Sequence, residues 1–178
     1  MPFSKTLLNA SGIHLALDRI AHQIAERNGN SSEVAVVGIQ KGGVHLATRL
    51  QKSLEKVWGH AVPFGLLDVN MHRDDHNQRL PNDIQPTTIP FDATGKVVVL
   101  VDDVLFSGRT VRAALDALTD LGRPKAIQLA VLVDRGNREL PIKADFVGKD
   151  APTALEERID VRLRETGAEQ DAVLLIKP

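Results

Sequence analysis

The stretch from Val97 to Thr110 constrains this chain more than any other. Five apolar residues, Val97-Val98-Val99-Leu100-Val101, run straight into two adjacent carboxylates, Asp102 and Asp103. An apolar run without polar alternation fits a strand covered on both faces, which belongs in a parallel sheet flanked by helices. Such sheets bind ligands at the carboxyl ends of their strands, where the two carboxylates stand. After Val104 and Leu105, the loop Phe106-Ser107-Gly108-Arg109-Thr110 opens a helix with Val111, Ala114, Leu115 and Leu118 on one face. A helix start presents unpaired N–H groups and a positive dipole end, which together suit a phosphate. Carboxylates beside a phosphate nest suit a phosphorylated sugar, with ribose hydroxyls donating to Asp102 and Asp103. An acidic pair at a strand end can also simply cap the following turn. That alternative leaves the Ser107-Gly108-Arg109-Thr110 nest without a purpose.

The rest of the chain alternates in the same style. Ser11 to Asn28 reads as an amphipathic helix, with Ile13, Leu17, Ile20, Ala21 and Ile24 on one face. Val34 to Ile39 reads as a buried strand ending in the tight turn Lys41-Gly42-Gly43. Val44 to Trp58 reads as a helix, Val62 to Val69 as a strand, and Ala126 to Val133 as another buried strand. Ala144 to Val147 reads as a short strand, and Ile159 to Arg164 alternates like a half-exposed one. Ala172 to Ile176 is placed to pair with the latter across a turn. Asn70 to Gly95 is long and polar and holds Pro81, Pro86 and Pro90, as a lid or binding loop does. Met1 to Ala10 is a short mixed stretch with neither a secretion signal nor a clear element. The expected architecture is α/β: a single domain over 1–178, with a mostly parallel central sheet, flanking helices, a flexible loop at about 70–95 and a small hood over about 134–178.

Composition removes several classes. The 178 residues contain no cysteine, which excludes disulfides, thiolate nucleophiles and zinc–thiolate sites. With 22 Lys and Arg against 23 Asp and Glu, bulk positive charge does not drive nucleic-acid binding, though a local patch remains open. No apolar run is long enough to cross a bilayer, and the reading is a cytoplasmic protein. There is no Gly-x-Gly-x-x-Gly and no Walker loop.

The strand–Asp–Asp–loop–Gly-x-Thr–helix string resembles the phosphoribosyl pyrophosphate (PRPP) signature of type I phosphoribosyltransferases. The likeness extends further. Val101 to Leu115, Arg123-Pro124, Gln128 to Val133 and Asp134 to Lys149 resemble the PyrR family, together with Leu67-Asp68-Val69, Arg73-Asp74-Asp75 and the helix Leu17 to Asn28. These are pyrimidine operon attenuation proteins that are also uracil phosphoribosyltransferases. The match runs from about Leu17 to Thr153.

The resemblance implies a type I phosphoribosyltransferase fold and a set of roles. Asp102 and Asp103 would hold the ribose hydroxyls. Leu105, Phe106, Ser107, Gly108, Arg109 and Thr110 would hold the 5′-phosphate. Gln40, Lys41, Gly42 and Gly43 would sit against pyrophosphate, with Arg73 and the following loop closing over it. Asp134, Arg135, Phe146 and Val147 would meet uracil, the last two as part of a hood. Mg²⁺ would be held mainly by substrate and water, through Asp102 and Asp103 where the protein contributes. The implied partners are PRPP, uracil, UMP and the leader mRNA of pyrimidine genes, in a homodimer or higher assembly. Arg19, His22, Arg27, Lys143 and Lys149 would contribute to an RNA face. Composition alone reads the same residues as a solvated surface.

The chain departs from the family pattern at several positions. Lys41 replaces the usual Thr at the head of the pyrophosphate loop. Phe106 stands where the family tends to have Tyr and where purine enzymes have an Asp that handles the base's proton. A phenyl ring cannot move a proton, which argues against a purine. Asn70 and His72 replace a more usual Thr and Tyr, Asn137 a His, and Lys143 an Arg. An attenuator with little catalysis, and a phosphoribosyltransferase for another base, both remain alternatives.

Overall fold

The computed structural model describes residues 3–29, 31–73 and 86–178. Its five-stranded sheet is parallel throughout, in the order β3-β2-β4-β5-β6. The strands are β2 (Val34–Ile39), β3 (Phe64–Leu67), β4 (Val97–Leu105), β5 (Ala126–Asp134) and β6 (Phe146–Asp150). Alternate side chains go to opposite faces. Val99, Val101, Ala130 and Leu132 pack under α1 (Ala10–Asn28) and α2 (Val44–Trp58). Val98, Leu100, Leu129 and Val131 pack under α3 (Arg109–Asp120). The unbroken apolar strands therefore have helices on both faces, as their sequence predicts.

The helices follow from local chemistry. The Asn9 side chain accepts a hydrogen bond from Gly12 N at 2.8 Å and caps α1. Ile13, Ile20 and Ile24 of α1 are fully buried, each contributing about 1.5–3 kcal/mol by the usual transfer scale, and Leu17 is buried beside them. Gly59, at φ 74°, ends α2 in the left-handed conformation that glycine tolerates best. Among the described residues no helix is long and apolar enough to cross a membrane.

A second sheet of three antiparallel strands has the order β1-β8-β7: β1 (Ser4–Asn9), β7 (Arg158–Arg162) and β8 (Ala172–Ile176). The pairing of β7 with β8 is the hairpin read from sequence. The strand β1 is not in that reading. A register shift between Thr6 and Leu8 breaks the period-two alternation, so that the neighbours Leu7 and Leu8 both pack on the core. The second sheet thus takes its third strand from the other end of the chain.

Several boundaries also move. β4 continues through Asp102 and Asp103 to Leu105, so the carboxylates lie inside the strand and not after it. The ladder to β5 carries it, pairing Asp102 with Val131 and Leu105 with Asp134. β3 is shorter than read, β6 begins at Phe146, and β7 ends at Arg162. The middle of the expected loop, including Asp74, Asp75 and His76, lies outside the described residues.

Candidate active site

A cleft of about 470 Å³ opens at the carboxyl ends of β2 and β4. Gln40, Lys41 and Gly42 line one side, Asp102, Asp103 and Val104 the floor, and Asn70, Arg73 and Thr110 the other side. The turn after β2 is pressed against β4. A Cβ on Gly42 would lie 2.5 Å from the Asp103 carboxyl, and one on Gly43 would overlap the Val101 carbonyl. The two glycines are therefore a steric requirement of this approach, which explains the Lys41-Gly42-Gly43 string. Gln40 is tied on both sides: its N–H donates to Leu67 O at 2.9 Å and its side-chain amide donates to Pro86 O at 3.0 Å. The Gln40–Lys41 peptide is cis.

Asp102 is buried, and its Oδ1 accepts from Asp103 N at 2.9 Å. Asp103 Oδ1 accepts from Val104 N at 2.7 Å. Desolvation holds the Asp102 carboxyl well above its ordinary range, the neighbouring Asp103 adds to this, and Arg73 opposes it. Asp103 is raised too, mainly by desolvation. Two carboxyls held this way in one cleft are a place for a ligand that brings hydroxyl donors or positive charge.

A smaller cavity of about 90 Å³ continues from the cleft along Phe106, Ser107, Gly108 and Thr110, with Arg73 and Leu105 on its wall. Gly108, at φ 93°, turns the chain into α3, and a Cβ there would press on Ile142 at 3.3 Å. Arg73 Nη1 donates to Thr110 Oγ1 at 3.1 Å, so Arg73 bridges the cleft and the helix start. Arg109 Nε donates to Glu139 Oε2 at 2.6 Å.

The residues expected at the base divide into two groups. Arg135 is buried, with its guanidinium 4.2 Å from the Phe106 ring centroid. Its Nε donates to Thr153 Oγ1 at 2.8 Å and its Nη2 to Ala154 O at 3.0 Å. Phe106 and Arg135 form one stacked unit beside the start of α3. Asp134 is committed elsewhere: its carboxylate accepts from Arg138 at 2.5 Å and from Gly136 N at 3.0 Å, and the Arg138 contact helps hold its pKa down. Phe146 lies on β6, next to β5. The residue is buried and packs in the core with α1. The Val147 carbonyl accepts from Arg19 on α1.

Two residues that the sequence reading did not single out bear on the site. Asp160 of β7 faces Asp103 closely enough for its charge to raise that carboxyl's pKa. Arg138 clamps Asp134 while donating to Phe106 O at 3.0 Å and Ile142 O at 2.8 Å. Neither carries a local sequence signal: Asp134 and Arg138 stand outside any helix, and Asp160 lies on β7, far along the chain from Asp103.

Of the residues read as an RNA face, Arg19 and Arg27 both lie along the seam between α1 and β6. Arg19 Nη2 donates to Val147 O and Gly148 O at 3.0 and 2.6 Å. Arg27 pairs with Asp145 at 2.6 Å and lies over Phe146. Lys149 is on β6 itself and Lys143 is exposed just before it. The ring of His22 folds back onto Asp18 O at 2.7 Å.

A family model described as a phosphoribosyl transferase domain matches residues 4–162. The bifunctional protein PyrR of Chloroflexus aurantiacus is 56% identical over 172 residues, covering 96% of this chain and 94% of that protein. Its counterpart in Roseiflexus sp. is 54% identical over 174 residues, covering 97% and 95%. A hypoxanthine-guanine phosphoribosyltransferase structure from Bacillus anthracis superposes with a TM-score of 0.71 at 21% identity, over 97% of this chain and 99% of that one. That last likeness concerns the fold alone. With this match over most of its length and these identities over nearly all of both chains, the chain belongs to the PyrR family of phosphoribosyltransferases.

Proposed function

We propose that this protein transfers the phosphoribosyl group of PRPP to uracil, giving UMP and pyrophosphate, and that it regulates pyrimidine genes by binding their leader mRNA. The carrying observation is that the cleft of Gln40, Lys41, Gly42, Asp102 and Asp103 shares Arg73, Asp102 and Thr110 with the cavity along Phe106, Ser107 and Gly108. In this reading the 5′-phosphate sits at the start of α3, the ribose hydroxyls donate to the two carboxylates, and pyrophosphate lies between the glycine turn and Arg73. N1 of uracil bonds to C1′ as the C1′–O bond to pyrophosphate breaks, and the N1 proton is released. The protein's part is to align the two reactants and stabilise the cationic ribose between them. The base takes its place beside the Phe106–Arg135 stack, where Arg135 offers donors to a pyrimidine carbonyl and Phe106 offers no proton acceptor for a purine.

Among the described residues no three His, Cys, Asp or Glu side chains are arranged to hold a metal by themselves. The Asp102–Asp103 pair, with Asp102 buried, would help to hold a Mg²⁺ brought by the substrate. When bound, the ion neutralises charge on the pyrophosphate leaving group.

The test offers PRPP and Mg²⁺ with uracil, orotate, hypoxanthine and guanine in parallel. Pyrophosphate release with uracil alone is the expected result. Turnover of another base would overturn the assignment of the base site. The regulatory half rests on the cationic seam of α1 and β6, in which Lys143 and Lys149 accompany Arg19 and Arg27. A gel shift of pyrimidine-operon leader RNA, stronger with UMP, is expected, and no shift at low salt would defeat it. This reading makes the protein a cytoplasmic enzyme working as a homodimer or higher assembly.

A further inference from the structure

Arg73 reaches into both cavities, yet it belongs to no strand or helix. It follows one 3-10 turn, Asn70–His72, whose backbone is held locally: Asn70 N donates to Asp68 Oδ1 at 2.9 Å and His72 N to Val69 O at 3.0 Å. Two adjacent side chains then diverge along α3. Arg73 donates to Thr110 Oγ1, in the first turn of that helix. His72 Nε2 lies 2.8 Å from Asp120 Oδ2, on its last residue. Ten residues separate Thr110 from Asp120, which is about 15 Å of helix. The segment is therefore stretched along α3, with His72 fixed at one end and the Arg73 guanidinium at the other.

The bond at His72 has a definite polarity. Its second nitrogen, Nδ1, is buried and meets no hydrogen-bond partner among the described residues. The tautomer that leaves no buried donor unmatched carries its hydrogen on Nε2 and donates it to Asp120. The Asp120 carboxylate is exposed, with 71% of its side-chain surface accessible. A hydrogen bond to so exposed a partner contributes little to global stability. What it fixes is where the Arg73 side chain begins its reach.

We propose that His72 and Asp120 are a positioning pair that seats the Arg73 guanidinium over the cleft and thereby sets the affinity for PRPP. The proposal rests on the reading of the cleft as a PRPP site. It does not depend on which base is used.

The experiment measures PRPP dissociation constants by calorimetry with Mg²⁺ present, alongside steady-state kinetics and melting temperatures. His72→Phe keeps the ring volume and removes the N–H donor; Asp120→Ala removes the acceptor. Each is expected to weaken PRPP binding, and to raise its KM, about tenfold while leaving the KM of the base unchanged. The double variant should be no worse than either single one, because both remove the same contact. His72→Gln places an amide N–H where Nε2–H stands and should recover to within about twofold of the parent. A merely structural role would lower the melting temperature without this split. Unchanged PRPP affinity in both single variants overturns the proposal. A parent protein that binds no PRPP at all overturns the reading of the cleft, and this proposal with it. Because the constant is measured without the base, an error in the base assignment leaves the test intact.

Discussion

Asp102 and Asp103 are neighbours in one strand, yet they carry different burdens. Asp102 is buried without a salt-bridge partner among the described residues, and desolvation is the main cause of its raised pKa. A carboxyl raised in the folded state costs stability as pH climbs through its folded pKa, and the cost is absent below the ordinary value of 3.8. Asp102→Asn is therefore expected to raise the melting temperature of the ligand-free protein near neutral pH, by about 2–4 °C for each kcal/mol relieved. That gain should disappear in acid, while activity falls in the same variant. A melting temperature equal to the parent's from pH 4 to 8 would contradict this. Asp103→Ala is expected to cut turnover by roughly a hundredfold or more with the fold intact, measured by pyrophosphate release and circular dichroism. Full activity there would remove the carboxylates from the mechanism. Both residues were legible in the sequence because a charged pair at the end of an apolar strand has few structural uses. The burial of Phe146 was not legible, because a residue's place in the sequence does not show which face of β6 it occupies.

At the scale of elements, the turn after β2 shows how unequal two adjacent glycines are. A methyl on Gly43 meets backbone, the Val101 carbonyl, which cannot move without breaking the sheet. A methyl on Gly42 meets the Asp103 carboxyl, a side chain with some freedom. Gly43→Ala is expected to destabilise by about 2–3 kcal/mol through overpacking. Gly42→Ala is expected to cost under about 1 kcal/mol while weakening PRPP binding, because Asp103 must turn aside. Urea denaturation with PRPP titration separates the two, and equal stability losses would refute the distinction. The main elements were readable: β2, α2 and β8 begin and end where periodicity and turn residues place them. β1 was not, because its bulge presents two leucines in a row to the core and erases alternation. The two basic side chains of α1 were visible in the sequence, but their anchoring on β6 was not, since it joins residues more than a hundred positions apart.

For the whole molecule, Arg49 of α2 adds a polar tie to the apolar joint that Ile159, Leu163 and Val173 make with α1 and α2. Its guanidinium holds Glu165 through two hydrogen bonds, at 2.8 and 2.6 Å, and Asp171 through a third at 2.7 Å. Glu165 and Asp171 follow β7 and precede β8, so this one side chain ties the helical layer to the second sheet. Both carboxyls are lowered in pKa, with the Arg49 hydrogen bond as the largest cause, and Arg49 is raised in turn. Lowered carboxyls contribute stability that is present above their ordinary values of 4.5 and 3.8 and is lost as pH falls through their folded ones. Arg49→Met is expected to cost about 1–2 kcal/mol at pH 7, since the contacts are partly exposed. The difference from the parent should shrink below about pH 4.5 as both carboxyls protonate. A constant difference across that range would assign the loss to packing.

The antiparallel pairing of β1 with β8 has a mechanical consequence. Ser4 stands opposite Ile176, and Lys177 N donates to Phe3 O at 2.9 Å, so both strands enter and leave at the same end of their ladder. Force applied between residues 3 and 178 loads those hydrogen bonds one after another, as a zipper opens, and never all at once in shear. The three-stranded sheet is thus the compliant part of the molecule under tension. The parallel sheet, with its cleft, carries no load until β1 and β8 have peeled apart.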